Sequence, residues 1–303
     1  MKFSRRDILK GLGGVPILGS VWWAGASYTT KQRREREAIL ETLNIDAAAP
    51  PSSGDMSGNA IRVGIIGFGG RGEHLVRSLG FATKGWLTSM EESAAKNPND
   101  TRLREFLDQE DLNVKLTAVC DVFDVRVQIA EESFEGIRRF KTHTELINSG
   151  TVDAVIIATP DHWHAPIAIE ALNAGIHTYV EKPMTHNIQE TYDLRDAALK
   201  SSGVFAVGHQ HRQTQSFRTA QDIVDKEVLG HVSLIQTNTN RNDDNGAWQY
   251  NIHEKASPET IDWQQFLGNA PDTPFNKEHF FRWRKWWAYG SGLSGDLMTH
   301  DYD

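Results

Sequence analysis

Ile61-Arg62-Val63-Gly64-Ile65-Ile66-Gly67-Phe68-Gly69-Gly70-Arg71-Gly72 decides the fold. Its first half is apolar at Ile61, Val63, Ile65 and Ile66, as a buried strand requires. Its second half spells G-x-G-x-x-G at Gly67, Gly69 and Gly72, and Glu73 to Leu79 can continue as a helix. Strand, glycine turn and helix N-terminus together form a dinucleotide-phosphate site. Gly67 permits the sharp turn, Gly69 lets the pyrophosphate approach the backbone, and Gly72 lets the helix pack close to the strand. The cofactor-binding loop is therefore expected at Gly67, Phe68, Gly69, Gly70, Arg71 and Gly72. Free N–H groups and the helix dipole would face the phosphates. A protein-kinase glycine loop is the competing phosphate reading, and it fails because no V-A-I-K strand or H-R-D loop follows.

Downstream, apolar strands alternate with helices, which predicts a doubly wound parallel α/β sheet. Phe81 to Asn113 is long for one helix and its connection and reads as an insertion on the rim, with a second helix over Arg102 to Asp108. Lys115 to Asp121 is the next strand and ends in an acid. In this fold such an acid accepts hydrogen bonds from the adenosine ribose; a helix cap is the plainer role for Asp121. Arg126 lies close enough to leave a 2′-phosphate open, so the cofactor is NAD or NADP. A helix is expected over Asp124 to Glu135 and a fully buried strand over Val152 to Thr159. Ligands in open α/β sheets sit outside the carboxyl ends of strands. Thr159, Pro160, His162 and His164 should therefore border the nicotinamide. A short helix over Ile167 to Asn173, a strand over His177 to Val180 running into Glu181-Lys182-Pro183, a helix over Ile188 to Ser201 and a strand over Val204 to Gly208 complete the domain.

The N-terminus reads as an address. Ser4-Arg5-Arg6-Asp7-Ile8-Leu9-Lys10 matches the twin-arginine export pattern; a modestly apolar segment follows from Gly11 to Trp23, and Ala24-Gly25-Ala26 offers a cleavage site. The expected partner is the twin-arginine machinery and the expected location periplasmic. The expected organisation is a signal over 1–26, a charged helix and linker over 27–59, a dinucleotide-binding domain over 60–208 and a substrate domain from 209 to 303.

Composition narrows the function classes. A formal charge of −8 argues against nucleic acid as partner. The single cysteine, Cys120, excludes an internal disulfide framework and any multi-cysteine metal site. Four of nine tryptophans fall within Trp263 to Trp287, which suits either an aromatic-lined cleft or ordinary core packing. His162/His164 and His209/His211 are H-x-H pairs that would share a face on a strand. Ordinary packing and cofactor-edge roles explain them better than a metal, so no metal site is assigned.

With Glu181-Lys182-Pro183 added, the chain from roughly Ile61 to Asp303 resembles the Gfo/Idh/MocA (glucose–fructose oxidoreductase, inositol dehydrogenase) family. The glycine loop, Asp121, Ala158-Thr159-Pro160, His164, Ala174-Gly175-Ile176-His177 and Asp296-Leu297-Met298-Thr299-His300-Asp301-Tyr302-Asp303 carry the resemblance. It implies a Rossmann domain followed by an α/β substrate domain with an open sheet. It also implies NAD(P)-dependent hydride transfer on a sugar, polyol or related cyclic alcohol. Glu181 and Lys182 would lie beside the nicotinamide, His300 would do acid/base work, and Asp296 would help place the substrate. Met298 stands where the family often has glycine. Against the family pattern the chain reads as C-terminally truncated, with one strand of the second sheet expected over Val232 to Asn238. At full length the resemblance implies a homo-oligomer. Folded export with scarce external NAD(P) implies a tightly held cofactor. Two alternatives remain open: a redox-neutral NAD-dependent glycosidase of the same superfamily, and a catalytically silent dinucleotide-binding protein.

Overall fold

A computed structural model of the chain describes residues 58–238 and 246–303. The export signal, the charged helix and nearly all of the linker lie outside the described residues. The chain divides into two compact units, whose described parts are 210–236 and, in the larger unit, 58–209 with 237–238 and 246–303.

The larger unit is built on six strands: β1 (Ile61–Ile66), β2 (Val114–Cys120), β3 (Arg138–Arg139), β4 (Ala154–Ile157), β5 (His177–Glu181) and β6 (Phe205–Gly208). They pair in the order β3-β2-β1-β4-β5-β6, and every ladder is parallel. The order reverses between β1 and β4, the place where this fold binds dinucleotides. Helices α1 (Gly70–Ser78), α2 (Lys84–Lys96), α3 (Arg102–Leu107), α4 (Asp124–Ser133), α5 (His143–Ile147), α6 (Asp161–Asn173) and α7 (Ile188–Lys200) connect the strands. One apolar cluster packs Ile66, Val155 and Ile157 against Ile167, Leu172 and Leu194. Another packs Val63, Ile65 and Val119 against Val76, Val127 and Phe134. These clusters cover both faces of the sheet, and that is why the central strands are apolar without alternation. α2 and α3 occupy the insertion expected between Phe81 and Asn113.

Two local expectations are corrected. α6 starts at Asp161, with Pro166 inside it, rather than at Ile167. The segment from Asp161 to Pro166 is therefore helix and not loop. Proline early in a helix costs one hydrogen bond and strains one turn, and buried Ala165, Ile167, Ala168, Ala171 and Leu172 hold the helix through it. Val232 to Asn238 forms no strand and has no ladder partner among the described residues, and Leu234 and Ile235 are 79% and 80% exposed. Hydrophobic strand character does not make a strand without a neighbour to pair with. The 210–236 unit contributes α8 (Gln215–Asp225), where Phe217 stacks on His211 at 5.7 Å.

Residues 246–303 join the larger unit. They carry α9 (Trp263–Leu267), α10 (Lys277–Phe281), a 3-10 turn (Trp283–Lys285), α11 (Gly292–Asp296) and α12 (Thr299–Tyr302). This segment crosses the carboxyl end of the sheet. Phe123, just past β2, bridges to Ile261, and the backbone N–H groups of Asp124 and Asp262 donate to Thr260 and Val122. A third apolar cluster forms there from Phe123, Ile261, Trp263, Phe266, Phe280 and Tyr289. Most of the tryptophan-rich run is thus core packing. Trp263 is buried, whereas Trp287 is 77% exposed. Residues 246–303 thus pack as a strap on the Rossmann unit.

Candidate active site

The glycine loop has the geometry a dinucleotide needs. Gly67 has φ +90°, and a Cβ there would lie 2.7 Å from the Ala158 oxygen. A Cβ on Gly72 would drive into the Gly67 carbonyl. Both positions exclude side chains for packing reasons alone. Gly69 is the N-cap of α1 and makes no side-chain cap hydrogen bond, and the N-terminus of such a helix points N–H groups and the positive dipole end outward, toward an anion. Phe68 is fully buried beneath the loop. Thr159, at the end of β4, has a buried Oγ1 with no partner among the described residues. An orphaned hydroxyl beside an open helix N-terminus fits a bound polar ligand.

Asp121 does local work first. Its carboxylate accepts from Phe68 N at 2.7 Å and from Phe123 N at 2.8 Å, tying the glycine loop to the end of β2. It does not cap α4, whose N-cap is Phe123. Arg126 Nη1 lies 3.5 Å from the same carboxylate. Its guanidinium also sits over the rings of Phe123, Phe280 and Phe281 and faces Gly69. A groove of about 650 Å³ opens beside Asp121 and Val122, lined also by Arg139, Lys141, Thr260 and Gln264.

The histidines of α6 lie on a helix, so their i, i+2 spacing does not put them on one face. His162 Nε2 is 2.8 Å from the Phe266 oxygen, and burial pushes its pKa down to about 4. His164 is 1% exposed, with Nδ1 2.6 Å from Pro183 O and Nε2 2.8 Å from Thr159 O. It clasps the end of β4 to the turn after β5, which is a positioning role. Asp161 accepts from both the N–H and the hydroxyl of Ser291, at 2.9 and 2.6 Å. Pro160 is the N-cap of α6.

The Glu181-Lys182-Pro183 turn is where the parts meet. Arg71 of the glycine loop donates from Nε to Glu181 Oε1 at 2.7 Å, and Tyr179 donates to the same oxygen at 3.2 Å. Burial and then Glu181 push the Tyr179 phenol up to about 12. The phosphate loop is therefore tied directly to the residue before Lys182. Lys182 Nζ lies 3.2 Å from Asp296 Oδ1 and also donates to the Asp296 carbonyl. The Lys182–Pro183 peptide bond is cis.

Two partners of Asp296 were not anticipated from sequence. Arg284 Nε donates to Oδ1 at 2.9 Å, and Trp248 Nε1 donates to Oδ2 at 2.9 Å. Burial alone would raise the Asp296 carboxyl, but Arg284 and then Lys182 outweigh it and hold it below the ordinary carboxylate range. His300 follows on α12, edge-on to His209 at 6.4 Å between centroids, and His209 Nδ1 is 3.9 Å from Asp303. Lys182 and Asp296 are thus brought together across 114 residues. The only sequence signal for Arg284 is the alternation of aromatic and basic residues from Phe281 to Trp287.

A doubly wound sheet with an open helix N-terminus at its switch point defines a dinucleotide-binding protein. Residues 61–209 match the profile described as oxidoreductase family, NAD-binding Rossmann fold, and this segment belongs to that family, Gfo/Idh/MocA. Among curated proteins, the chain is 39% identical over 93 residues to glycosyl hydrolase family 109 protein 2 of Shewanella sp. (strain ANA-3), covering 28% of this chain and 20% of that protein. It is 36% identical over 97 residues to the uncharacterized oxidoreductase YdgJ of Escherichia coli (strain K12), covering 32% and 28%. The chain therefore spans well under a third of the length of these relatives. Among solved structures, myo-inositol 2-dehydrogenase from Lactobacillus plantarum aligns with TM-score 0.45 and 23% identity over 57% of this chain and 43% of that one.

Proposed function

We propose that the chain is the catalytic part of an NAD(P)-dependent oxidoreductase that oxidises or reduces a sugar, polyol or related cyclic alcohol. The observation that carries this reading is the ordered contact from Arg71 to Glu181 and from Lys182 to Asp296. It links the phosphate loop to an ammonium–carboxylate pair at the carboxyl end of β5. Bound nicotinamide supplies the hydride acceptor or donor. The residues have separate roles. The α1 N-terminus and Arg71 hold the phosphates, and Thr159 Oγ1 donates or accepts at the cofactor's edge. Lys182 holds the substrate oxygen. Asp296 keeps Lys182 in place, and His300 exchanges the hydroxyl proton, as an imidazole can.

The twin-arginine signal supports folded export to the periplasm, with the cofactor loaded beforehand and held between turnovers. Replacing Arg5 and Arg6 by lysine and fractionating cells tests this; protein still found in the periplasm would remove the export reading. The family resemblance also supports a homo-oligomer. The match to a family 109 glycosyl hydrolase supports a second reading, transient oxidation within a redox-neutral glycosidase. Lys182→Ala separates the readings from a silent protein: it should keep NADH binding and lose at least about 100-fold in sugar-dependent turnover. Undiminished turnover would remove Lys182 from the site. Net NADH production from free sugars favours the dehydrogenase. Release of an aglycone without net NADH favours the glycosidase.

A further inference from the structure

Around Asp296 each carboxylate oxygen already faces a donor, while Arg284 keeps donors to spare. Oδ2 accepts from Trp248, and Oδ1 accepts from Arg284 and faces Lys182. Arg284 spends only Nε on this contact, and the structure records no hydrogen bond from its two terminal nitrogens among the described residues. Its Cζ lies over the Trp283 ring at 4.1 Å and over the Tyr250 ring at 5.5 Å, contacts that hold the guanidinium between two aromatic side chains. The side chain is 26% exposed, so the free edge is accessible. Lys182 and Arg284 against Asp296 leave the cluster with one net positive charge.

We propose that Arg284 is a substrate-binding fork and that the substrate is a sugar carrying a carboxylate, a uronic or aldonic acid. The sugar half of this assignment rests on the oxidoreductase reading above; the carboxylate half rests on Arg284. A guanidinium edge with two parallel N–H donors matches two carboxylate oxygens, and such charge-assisted pairs are both strong and directional. A neutral sugar offers hydroxyls that need acceptors as well as donors, and Asp296 is already engaged on both oxygens. A carboxylate offers acceptors only, which is what a site of unpaired donors can satisfy. Held by Arg284, the acid would present one of its hydroxyls to Lys182, because both cations touch the same oxygen of Asp296.

The test uses the full chain and matched pairs: D-glucuronate against D-glucose, D-galacturonate against D-galactose, and D-gluconate against sorbitol. NADH binding is titrated first by fluorescence, which reports on the dinucleotide reading alone. Sugar binding to the NADH complex and NAD-linked turnover follow. The expected result is that at least one acid is preferred to its neutral partner by at least about tenfold in binding or in kcat/KM. Arg284→Met should erase that ratio, and Arg284→Lys should restore part of it, because lysine keeps the charge but not the fork. The ratio between acid and neutral partner cancels any general damage from disturbing Asp296, and retained NADH binding shows that the variants fold. Preference for the neutral sugars, binding of neither class to protein that binds NADH, or an acid preference that survives in Arg284→Met would overturn the assignment and leave the dinucleotide reading standing. Failure to bind NADH would instead remove the reading on which it rests.

Discussion

Asp296 and Arg284 can be tested as a pair through a double-mutant cycle of Asp296→Asn and Arg284→Met. Breaking a buried ion pair costs about 3–5 kcal/mol because an uncompensated charge stays behind, whereas exposed pairs are worth about 0.2–1 kcal/mol. The Asp296 side chain is 11% exposed and that of Arg284 26%, so the pair lies nearer the buried limit. Asp296→Asn alone leaves Lys182 and Arg284 facing each other without a counter-charge. It should cost about 3 kcal/mol, or a fall in Tm of roughly 6–12 °C for a unit of this size. In the double variant one of those two cations is gone, so the two losses should not add. The expected coupling is about 1.5–2.5 kcal/mol, measured by urea unfolding of the four proteins. The effect is also pH-dependent. A carboxyl depressed in the folded state stabilises fully above its unfolded pKa near 4, and that stability is lost as pH falls through the folded value. The difference between wild type and Asp296→Asn should therefore be flat from pH 5 to 8 and shrink below about 4. Losses that add to within about 0.5 kcal/mol would refute the network.

Three further outcomes follow from the same geometry. Gly72→Ala pushes a methyl into the Gly67 carbonyl; it should lower stability by about 2–3 kcal/mol and NADH affinity by tenfold or more, read by fluorescence titration. His162 is neutral in the fold down to about pH 4, while the unfolded chain takes up a proton near 6.5. Stability should accordingly fall as pH drops from 6.5 to 4, by up to about 3 kcal/mol, and His162→Gln should flatten that slope in pH-dependent unfolding. Cys120 is buried, and burial raises its thiol well above the usual range. Native protein should resist a chromogenic disulfide reagent at pH 8, and guanidinium should release one reactive thiol per chain; rapid native reaction would contradict the placement of β2.

The Rossmann core was legible because its signals are local. β1, β2 and β4 are apolar on both faces, and each is followed by its helix within a short stretch of sequence. The glycine loop carries its own geometry in Gly67 and Gly72. β3 was missed because it is two arginines on a sheet edge, with no hydrophobic pattern to read. The start of α6 was misplaced because Pro166 reads as a breaker, while tertiary burial of its neighbours overrides the local cost. The strap was illegible for a different reason. Its bonds join Phe123 to Ile261, Asp161 to Ser291 and Trp163 to Phe266, contacts of more than a hundred residues' separation that no periodicity encodes. Lys182 and Asp296 were recognised by family resemblance, but Arg284 and Trp248 belong to no motif, and only the folded strap brings them to the carboxylate.

The central claim is that this chain holds a nicotinamide dinucleotide on the loop from Gly67 to Gly72. The most direct measurement is to purify the protein from its natural compartment without added nucleotide, denature it, and identify what is released by mass spectrometry. NAD or NADP should be released near one equivalent per chain, and should be lost in Gly72→Ala. Protein that releases no dinucleotide and fails to bind added NADH or NADPH would contradict it.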